Sequence, residues 1–405
     1  DEADTYGPVF GAVRGTAAAL GYMAERFATL SWAALLAPAI RMAEEGTDIT
    51  SADIAAIEKY QPSIRRSEFL RFWVLDEGEF IPAAGTRSCN PELARTLRLL
   101  ADRGADEFYR GSIATVIEAD MIRNGGFVRR ADLALYRAAE RPAWRGTYRG
   151  LEILSFPPPA AGGAVIEALN ILGNFSPEVL RTPGTTRLQT LAGAFHVAFE
   201  DNGRFCRDPE DARLRMGPPH LTKEFAAARA ALVRKGRALT KEDLPPAPGE
   251  PWHVGGTTPL AIADRFGNVV SLSQTIGRFY GAKVLTASLG FPYNSLMESV
   301  DLSDPAACRP GGRVSVLMAP TIVLRDGRPY VALGASGSAK VPSTVVQTIS
   351  DLVDSGLTLR EAVDRPRIMW NVRGHDSGIY LEVRDEITPV DVQALRELGF
   401  AHVTE

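Results

Sequence analysis

Four consecutive residues, Gly255, Gly256, Thr257 and Thr258, could supply a nucleophile. A threonine hydroxyl is a weak nucleophile and needs a base beside it. If the chain is cut just before Thr257, the threonine's own α-amine can be that base, because its pKa of about 7.7–8.0 leaves a neutral fraction near pH 7. Glycine before the threonine permits the strained backbone that intramolecular cleavage needs. Taken alone, these four residues are more often only the entry to a strand.

A second candidate is the glycine- and serine-rich run from Gly334 to Ala339, which follows a strand-like segment and precedes a helix-like one. Backbone N–H groups at such a turn can form an oxyanion hole. The run is not the G-x-S-x-G elbow of α/β-hydrolases, because Ser338 stands where the last glycine belongs. By itself, a tight turn explains it equally well.

Composition excludes several other classes of protein. The 405 residues are 45% hydrophobic, and 45 basic against 49 acidic residues give a net charge of −4 without blocks of like charge. This predicts a globular protein with a sizeable core and without the electrostatic footprint of a nucleic-acid partner. The apolar runs are short, as at Trp32 to Ile40 where Pro38 interrupts, so no membrane span is predicted.

Cysteine and histidine are too few and too scattered for a disulfide framework or a histidine-rich metal site. No CxxC pair occurs, and no two histidines have the i, i+4 spacing of ligands on one helix face. We therefore predict no metal and no cofactor, although carboxylate ligands remain open. The residues are Cys89, Cys206 and Cys308, and His196, His220, His253, His375 and His402.

The first 240 residues are predicted to be mainly helical. Ser31 is a plausible N-cap of a helix that Gly46 ends, and Pro38 should kink or split it. Gly146 to Phe156 alternates like one strand, and the glycine pair Gly162–Gly163 after it could allow a close backbone approach or be a simple turn. The other predicted helices are Ala17 to Leu30, Pro91 to Arg103, Ile113 to Arg123, Gly163 to Leu172, Arg187 to Asp201 and Lys223 to Lys235.

The composition changes after residue 240. Thr240 to Gly256 is rich in proline and glycine and is predicted to be an exposed linker. Two hairpins follow, one turning at Phe266 to Asn268 and one at Asp326–Gly327. Helices then follow, so the order favours a layered α+β fold with an antiparallel sheet over a βαβ fold. The predicted elements are strands Leu260 to Ala263, Asn268 to Thr275, Thr321 to Leu324 and Pro329 to Leu333, and helices from Ser343 to Asp354 and from near Pro389.

These pieces occur in an order that resembles the gamma-glutamyltransferase family of N-terminal-nucleophile hydrolases along essentially the whole chain. The matching residues are Gly15-Thr16, Leu36 to Ile40 with Ala43 to Gly46, Phe108 to Gly111, Arg145 to Gly150, Pro157 to Pro159 with Gly162-Gly163, Thr257-Thr258, Asp264, Gly267 to Leu272, Thr275, Gly281, Asn294, Met318, Pro320 to Val323 and Gly334 to Gly337.

The resemblance implies a four-layer αββα sandwich and a zymogen of glutathione metabolism that cuts itself between Gly256 and Thr257. The pieces would be 1–256, large-subunit-like, and 257–405, small-subunit-like. It implies Thr257 as nucleophile, with Thr258 as the alternative, and Thr275 as the residue that orients it, although Thr275 could be only a strand residue. Gly337 and Ser338 fall at the oxyanion-hole pair, which normally consists of two glycines.

The sequence departs from the family where the substrate would be held. Positions that are polar in members acting on γ-glutamyl compounds are here mostly apolar or small, and Thr-Thr-Pro replaces the usual Thr-Thr-His. An apolar pocket penalises a zwitterionic glutamyl group. Either the substrate is an amide with a less polar acyl group, or the chain is inactive. The candidate substrate-binding residues are Asn294, Leu296, Ser299, Val316 and Leu317, with Gly277 at a further replaced position.

The leading hypothesis is therefore an autoprocessing amidohydrolase or acyltransferase, with γ-glutamyl transfer or hydrolysis as the family default. The rivals are a hydrolase of a small or apolar amide, a non-catalytic binding protein and, more remotely, a metalloamidase. We expect a small-molecule amide or peptide as substrate, and a homodimer or a heterodimer of the two cleavage fragments as the assemblies. The start at Asp1, without Met or a signal pattern, predicts a fragment or processed product. The family's first hundred or so residues have no counterpart here, and the compartment, cytoplasmic or periplasmic, stays open.

Overall fold

The computed structural model describes residues 7–205, 219–245, 256–286, 288–300, 310–371, 378–400 and 402–404. The chain forms two compact units, which we call unit 1 (residues 1–140 and 276–298) and unit 2 (residues 141–275 and 299–405). Each unit therefore contains chain from both sides of the Gly256–Thr257 junction. In the part of the chain that is described, no helix is long and apolar enough to cross a membrane.

Unit 1 is mainly helical. Its short strands pair β1 with β2 and β7 with β8, both antiparallel. Its elements are α1 (Thr16–Phe27), α2 (Trp32–Glu45), β1 (Thr47–Asp48), α3 (Ser51–Arg66), α4 (Glu68–Val74), β2 (Arg87–Ser88), α5 (Pro91–Arg103), α6 (Glu107–Arg110), α7 (Ser112–Asn124), α8 (Arg130–Leu135), β7 (Leu285–Thr286) and β8 (Phe291–Pro292).

Helix α2 shows how local signals set the ends of these helices. The Ser31 hydroxyl accepts a hydrogen bond from the Ala34 N–H at 3.3 Å, and Gly46 ends the helix at a φ of +79°. Both ends agree with the prediction. Of the predicted kink or split at Pro38, the split is wrong, because α2 runs unbroken from Trp32 to Glu45 with Pro38 inside it. The kink stays a prediction. Pro38 removes one helical donor, and the rest of the helix forms without it.

The segment 276–298 is packed into the core of unit 1. Tyr293 and Val284 lie in one hydrophobic cluster with Ile113 and Phe108 from the helical part. The Tyr293 hydroxyl also donates a hydrogen bond to the carboxylate of Asp120 at 2.9 Å. These contacts link residues more than 160 positions apart, and they make the segment part of this helical unit.

Unit 2 combines helices with an antiparallel sheet of strand order β10 (Arg328–Leu333), β9 (Thr321–Arg325), β4 (Leu151–Ser155) and β3 (Trp144–Tyr148). Two further sheets, β5-β6 and β11-β12-β13, belong to the same unit. The elements are β3 (Trp144–Tyr148), β4 (Leu151–Ser155), α9 (Gly162–Leu172), α10 (Pro177–Arg181), α11 (Thr185–Phe205), α12 (Lys223–Val233), β5 (Thr257–Ala263), β6 (Val269–Thr275), β9 (Thr321–Arg325), β10 (Arg328–Leu333), α13 (Lys340–Val353), α14 (Leu359–Asp364), β11 (Ile368–Asn371), β12 (Gly378–Leu381), α15 (Pro389–Glu397) and β13 (His402–Thr404).

The first part of this sheet corrects one prediction. Gly146 to Phe156 was expected to be one strand, but it belongs to a hairpin in which β3 pairs with β4. The turn is made by Arg149 and Gly150, both with positive φ, at 51° and 85°. Two positive φ angles suit a two-residue hairpin turn. The alternating pattern continues across the turn and hides it, because the arginine at the first turn position is not a typical turn residue.

The sheet is covered by helices that are themselves deeply buried. Every residue of α9 is buried, and α9 contacts β3, β4, α11, α12 and α13. Gly162, at the start of α9, makes the close approach that one of the two sequence interpretations expected, because a Cβ atom there would lie 2.2 Å from the Phe156 carbonyl oxygen. With its helices packed on an antiparallel sheet, unit 2 has the predicted α+β class.

Only the two ends of the predicted linker are described, 240–245 and Gly256; residues 246–255 lie outside the described part. Thr240 and Lys241 are exposed, whereas Leu244 is buried. The carboxylate of Asp243 accepts hydrogen bonds from Arg237 and from the Thr240 N–H. The first residues of the predicted linker are thus anchored to unit 2.

Candidate active site

The β5–β6 hairpin brings Thr257 and Thr275 together through its turn. Asp264 accepts hydrogen bonds from the N–H groups of Phe266 and Asn268, each at 2.9 Å, and Gly267 has a φ of +86°. The Asn268 side chain also donates a hydrogen bond to Asp264, at 2.8 Å. This bond, followed by those from the backbone, holds the pKa of the Asp264 carboxyl below its usual range. The turn sets the register of the strands, in which Thr257 pairs with Thr275.

A short chain of hydrogen bonds connects these two residues with the predicted cleavage site. The Thr257 hydroxyl donates to the Thr275 Oγ1 at 3.3 Å, and the Thr275 hydroxyl donates to the Gly256 carbonyl oxygen at 2.8 Å. The carbonyl group preceding Thr257 is therefore bonded to Thr275, which also contacts the Thr257 hydroxyl. A hydrogen-bond donor on a carbonyl oxygen polarises it and stabilises the negative charge that develops on nucleophilic attack.

Thr258, the alternative nucleophile, lies on the other face of the strand. Successive side chains of a strand point to opposite faces. Thr258 is exposed and pairs in register with Gln274, whereas Thr257 is partly buried opposite Thr275. The geometry therefore favours Thr257 over Thr258 as the reacting residue.

The loop between β10 and α13 contains the predicted oxyanion pair. Gly337 has a φ of +107° and Ser338 a φ of +54°, so a non-glycine residue adopts a left-handed conformation here. Among the described residues, none accepts a hydrogen bond from the N–H of Gly337 or of Ser338. Two successive backbone donors just before a helix N-terminus form a site of the type that stabilises an oxyanion.

The same loop starts beside β5, the strand that begins at Thr257. A Cβ atom on Gly334 would lie 3.0 Å from the Pro259 Cβ, two residues after Thr257. The Ser271 hydroxyl on β6 donates a hydrogen bond to the Leu333 carbonyl oxygen at 2.9 Å. Glycine at 334 therefore permits the close packing by which β10 delivers its loop to the β5–β6 hairpin.

Two of the predicted substrate-binding residues lie in unit 2. The Val316 N–H donates a hydrogen bond to the Pro159 carbonyl oxygen at 2.9 Å, and the Val316 side chain is partly buried. Leu317 is only 5% exposed and belongs to the hydrophobic core of the unit. Core packing accounts for Leu317, and contact of either residue with a substrate stays a prediction.

Of the other predicted substrate-binding residues, Asn294 and Leu296 lie in unit 1, and Ser299 is the first residue after segment 276–298. The side chain of Asn294 is buried, and it exchanges hydrogen bonds with the backbone of Ala12, at 2.9 Å and 2.8 Å. Its carbonyl oxygen also accepts from the Leu296 N–H at 3.2 Å. Leu296 and Ser299 bound a short 3-10 helix, in which the side chain of Ser299 lies outside the described part. Asn294 thus has a structural role here, and its contact with a substrate remains a prediction.

Gly277, the further replaced position, occupies a tight turn. Its φ is +83°, and a Cβ atom there would lie 2.4 Å from the Ser295 Oγ. The same hydroxyl accepts a hydrogen bond from the Arg278 N–H at 2.9 Å. A larger polar residue therefore does not fit this backbone without a shift of Ser295.

A buried ion pair that was not predicted from the sequence lies next to these positions. Arg278 and Glu298 are bonded to each other, with the Arg278 Nε 2.7 Å from both carboxylate oxygens, and their side chains are 11% and 10% exposed. The pair joins the start of the segment 276–298 to its end. Its only signal in the sequence was one acid and one base at the borders of a predicted substrate region.

Lys340, which was not predicted from the sequence either, packs against the loop that contains Gly337 and Ser338. Its side chain lies within 3.6 Å of the position that a Cβ atom on Gly337 would occupy. Lysine two residues after a glycine–serine pair carries no distinctive signal. For metal binding, the described ranges contain no group of three histidine, cysteine, aspartate or glutamate side chains that could hold an ion.

Comparison with solved structures identifies the class. The chain superposes on a cephalosporin acylase from Bacillus halodurans with a TM-score of 0.82 and 26% identity, over 99% of this chain and 73% of the acylase. That structure has the N-terminal-nucleophile hydrolase fold, and the predicted αββα class is thereby confirmed.

The family follows from the sequence. Residues 1–403 match the family model described as gamma-glutamyltranspeptidase. The chain belongs to this family, whose members are amide hydrolases and transpeptidases.

Its relatives have two kinds of names. It is 33% identical to the Acylase ACY 1 proenzyme of Pseudomonas sp. strain SE83, over 96% of this chain and 67% of that protein. It is 28% identical to the glutathione hydrolase proenzyme of Escherichia coli strain K12, over 87% of this chain. The chain spans 63% of the length of this E. coli relative.

Proposed function

We propose that this chain is part of an autoprocessing amide hydrolase or acyltransferase in which Thr257 is the nucleophile. The observation that carries the proposal is the hydrogen-bond chain from the Thr257 hydroxyl through Thr275 to the Gly256 carbonyl oxygen. One hydroxyl, that of Thr275, contacts both the attacking group and the carbonyl under attack. The name proenzyme, which both the E. coli and the Pseudomonas relatives bear, agrees with a precursor that is cut.

The first reaction is cleavage of the chain itself. The Thr257 Oγ1 attacks the Gly256 carbonyl carbon, and the carbonyl oxygen, which becomes negatively charged, keeps its hydrogen bond from Thr275. The bond from this carbon to the Thr257 nitrogen then breaks, and the hydroxyl proton passes to that nitrogen. Water hydrolyses the resulting ester, leaving a carboxylate on Gly256 and a free amine and hydroxyl on Thr257.

The second reaction acts on an external amide. The freed α-amine of Thr257, with a pKa of about 7.7–8.0, takes the hydroxyl proton as the oxygen attacks the substrate carbonyl. The N–H groups of Gly337 and Ser338 stabilise the oxyanion. The α-amine of Thr257 passes the proton to the nitrogen of the substrate amide, whose bond to the carbonyl carbon breaks. The substrate's amine leaves, and an acyl ester forms on Thr257. Water then completes hydrolysis, or a second amine completes acyl transfer.

The two cleavage products would stay together as a heterodimer. Strand β4 precedes the junction and β9 follows it, yet they pair along four residues in the central sheet of unit 2. Segments from both products also form the core of unit 1. Separating them would break a sheet and expose both cores to water.

The substrate we propose is an amide whose acyl group is uncharged or singly charged. Gly277, Leu296, Val316 and Leu317 offer no charged group at positions that are polar in members acting on γ-glutamyl compounds. An apolar site gains about 0.8 kcal/mol per buried methylene but cannot desolvate an ammonium and a carboxylate without loss. The occurrence of acylases among the relatives agrees with this choice. The alternative, γ-glutamyl transfer or hydrolysis, agrees with the glutathione hydrolases.

Self-cleavage is tested by mass spectrometry on the purified full-length protein. We expect a fragment that begins at Thr257 and carries a free N-terminal threonine. Thr257→Ala should leave an intact chain, whereas Thr258→Ala, the matched control on the other strand face, should still be cut. A folded wild type that stays uncut after long incubation would refute the proposal and favour a non-catalytic binding protein.

Substrate class is tested by kcat/KM on a γ-glutamyl anilide, its des-amino analogue and short aliphatic acyl anilides. We expect the des-amino or aliphatic compounds to be preferred. If the γ-glutamyl compound is better by tenfold or more, about 1.4 kcal/mol in the transition state, the apolar-acyl proposal is wrong and the γ-glutamyl alternative stands.

A further inference from the structure

The oxyanion loop has a strained backbone, which needs support from its surroundings. Gly337 and Ser338 both have positive φ angles, and such a conformation is strained for a serine. Their carbonyl oxygens accept hydrogen bonds from the first turn of α13, the Lys340 N–H at 3.1 Å and the Val341 N–H at 2.9 Å. These bonds hold the carbonyl side of the loop.

The α-carbon of Gly337 is supported by a side chain, that of Lys340. A Cβ atom on Gly337 would lie 3.3 Å from Lys340 Cδ, 3.4 Å from Cβ and 3.6 Å from Cγ. The aliphatic part of Lys340 therefore covers the α-carbon of Gly337. The Lys340 ammonium lies 4.1 Å from the centre of the Tyr380 ring on β12, within the range of a cation–π interaction. The lysine chain is thus held at both ends, by its backbone in α13 and by the aromatic ring.

We propose that Lys340, anchored by Tyr380, is a positioning residue for the oxyanion hole. It restricts the Gly337–Ser338 turn to the conformation in which both N–H groups remain free of partners in the described chain. A loop that relaxes would still bind substrate but would lose alignment with the oxyanion, so the effect belongs in kcat. This inference rests on the proposed function, because it assigns a role within the same site.

Self-cleavage provides an internal reference for the test. The Gly256 carbonyl oxygen is bonded to Thr275, so cleavage does not depend on the Gly337–Ser338 turn for that hydrogen bond. A residue that positions only the turn should affect turnover of an added substrate and leave self-cleavage intact. A residue needed only for folding should lower both rates together with the melting temperature.

The experiment compares five variants of the full chain after self-cleavage, four at the proposed contact and one control, with the best anilide substrate of the wild type. We expect Lys340→Ala to lower kcat about 10- to 100-fold with KM within threefold, and Lys340→Met, which keeps the aliphatic chain, to lower it less. Lys340→Arg, which keeps chain and charge, should restore most of kcat. Tyr380→Leu should resemble Lys340→Met. Lys59→Ala, which removes a comparable lysine–tyrosine contact in unit 1, is the control.

Each outcome has a defined meaning. The positioning role is overturned if Lys340→Ala has a kcat within twofold of wild type, or if only its KM increases. The proposed function would still be supported in that case by self-cleavage and by turnover of the wild type. If Lys340→Ala fails to fold, Lys340→Met and Tyr380→Leu decide in the same way. Absence of self-cleavage in the wild type would instead refute the proposed function itself.

Discussion

The β9–β10 and β5–β6 hairpins both follow the junction, but they have different surroundings. In the β9–β10 hairpin, β9 has β10 on one side and β4 on the other, and Val323 is 1% exposed. In the β5–β6 hairpin the strands pair only with each other among the described residues, and Ile262 is 59% exposed. Burial explains the composition of the first hairpin. It does not explain that of the second.

This difference separates packing from chemistry. A polar residue in a buried strand must find a partner, so a hydrogen bond there is expected on structural grounds alone. Thr257 and Thr275 are only partly buried, at the open end of the β5–β6 hairpin, where water could satisfy their hydroxyl groups. Their hydrogen bonds to each other and to the Gly256 carbonyl oxygen are the basis of the chemical role that we propose for them.

Removing the Thr275 hydroxyl should have the largest effect. Thr275→Val keeps the shape and strand propensity of the side chain but loses the donor to the Gly256 carbonyl oxygen. We expect self-cleavage to slow by about 10²–10³-fold, the loss typical of one oxyanion donor, with little change in the melting temperature. The time course of fragment formation on a denaturing gel measures this.

Thr275→Ser is the matched control, because it keeps the hydroxyl and should retain most of the rate. If Thr275→Val is cut as fast as the wild type, Thr275 is only a strand residue. The β5–β6 hairpin would then differ from the β9–β10 hairpin in burial alone, and not in chemical role.

A core residue of the other hairpin should show the opposite pattern. Val323→Ala removes two methyl groups from the core of unit 2 and should lower the free energy of unfolding by about 2 kcal/mol. Self-cleavage well below the melting temperature should stay within twofold of wild type. Denaturant unfolding and the gel time course measure the two quantities. A large loss of cleavage with unchanged stability would contradict the assignment of β9 to packing.

The buried side of the comparison also contains ionisable groups. Glu167 on α9 is fully buried, and neither of its oxygens has a hydrogen-bond partner within the described residues. Burial first, and then the charge of Asp201, raise the pKa of Glu167 well above its usual value. Asp201 itself accepts hydrogen bonds from Arg229 at 2.7 Å and 2.9 Å.

A raised pKa has a defined consequence for stability. The folded state holds the Glu167 proton more tightly than the unfolded chain, so its contribution is complete below the unfolded pKa of about 4.3. It is lost as the pH rises from there through the raised folded pKa. Glu167→Gln is neutral at every pH and can donate to Asp201. Relative to wild type, its free energy of unfolding should therefore rise as the pH increases from 4 to 8.

Melting temperatures across this pH range test the prediction, with the exposed Glu397→Gln as the control. A constant difference between Glu167→Gln and wild type at all pH values would show that the Glu167 proton is not linked to folding. A loss that grows with pH would show that the buried charged form is the stable one.

The elements of the fold that could be predicted from the sequence are those whose signals lie within a few residues of one another. The β5–β6 and β9–β10 hairpins, the cap of α2 at Ser31 and the bounds of α5 follow from turn residues, caps and periodicity within a few positions. Helix α3 was missed because its composition is polar and Pro62 lies inside it. The turn at Arg149 was missed because its first residue is unusual there.

The contacts that shape the site are not local. Segment 276–298 returns to the helical unit through pairs such as Asn294 with Ala12, 282 positions apart, which no pattern within the segment reveals. The register of Thr257 with Thr275 could be counted from the turn, whereas the support of Gly337 by Lys340 and Tyr380 required the fold. The family resemblance identified the candidate residues, and the structure adds the partners of each.

The smallest effect is expected on the exposed face of the β5–β6 hairpin. Ile262→Thr keeps a β-branched side chain, so strand propensity is preserved, and the exposed methyl groups contribute little to the core. We expect a change in the free energy of unfolding within about 0.5 kcal/mol and a cleavage rate within twofold of wild type. Val323→Thr makes the same kind of exchange in the buried hairpin and should cost several times more, because it buries a hydroxyl. Should Ile262→Thr destabilise the full-length protein as strongly as Val323→Thr, another surface covers this face. The difference in burial between the two hairpins would then hold for the described residues and not for the full-length protein.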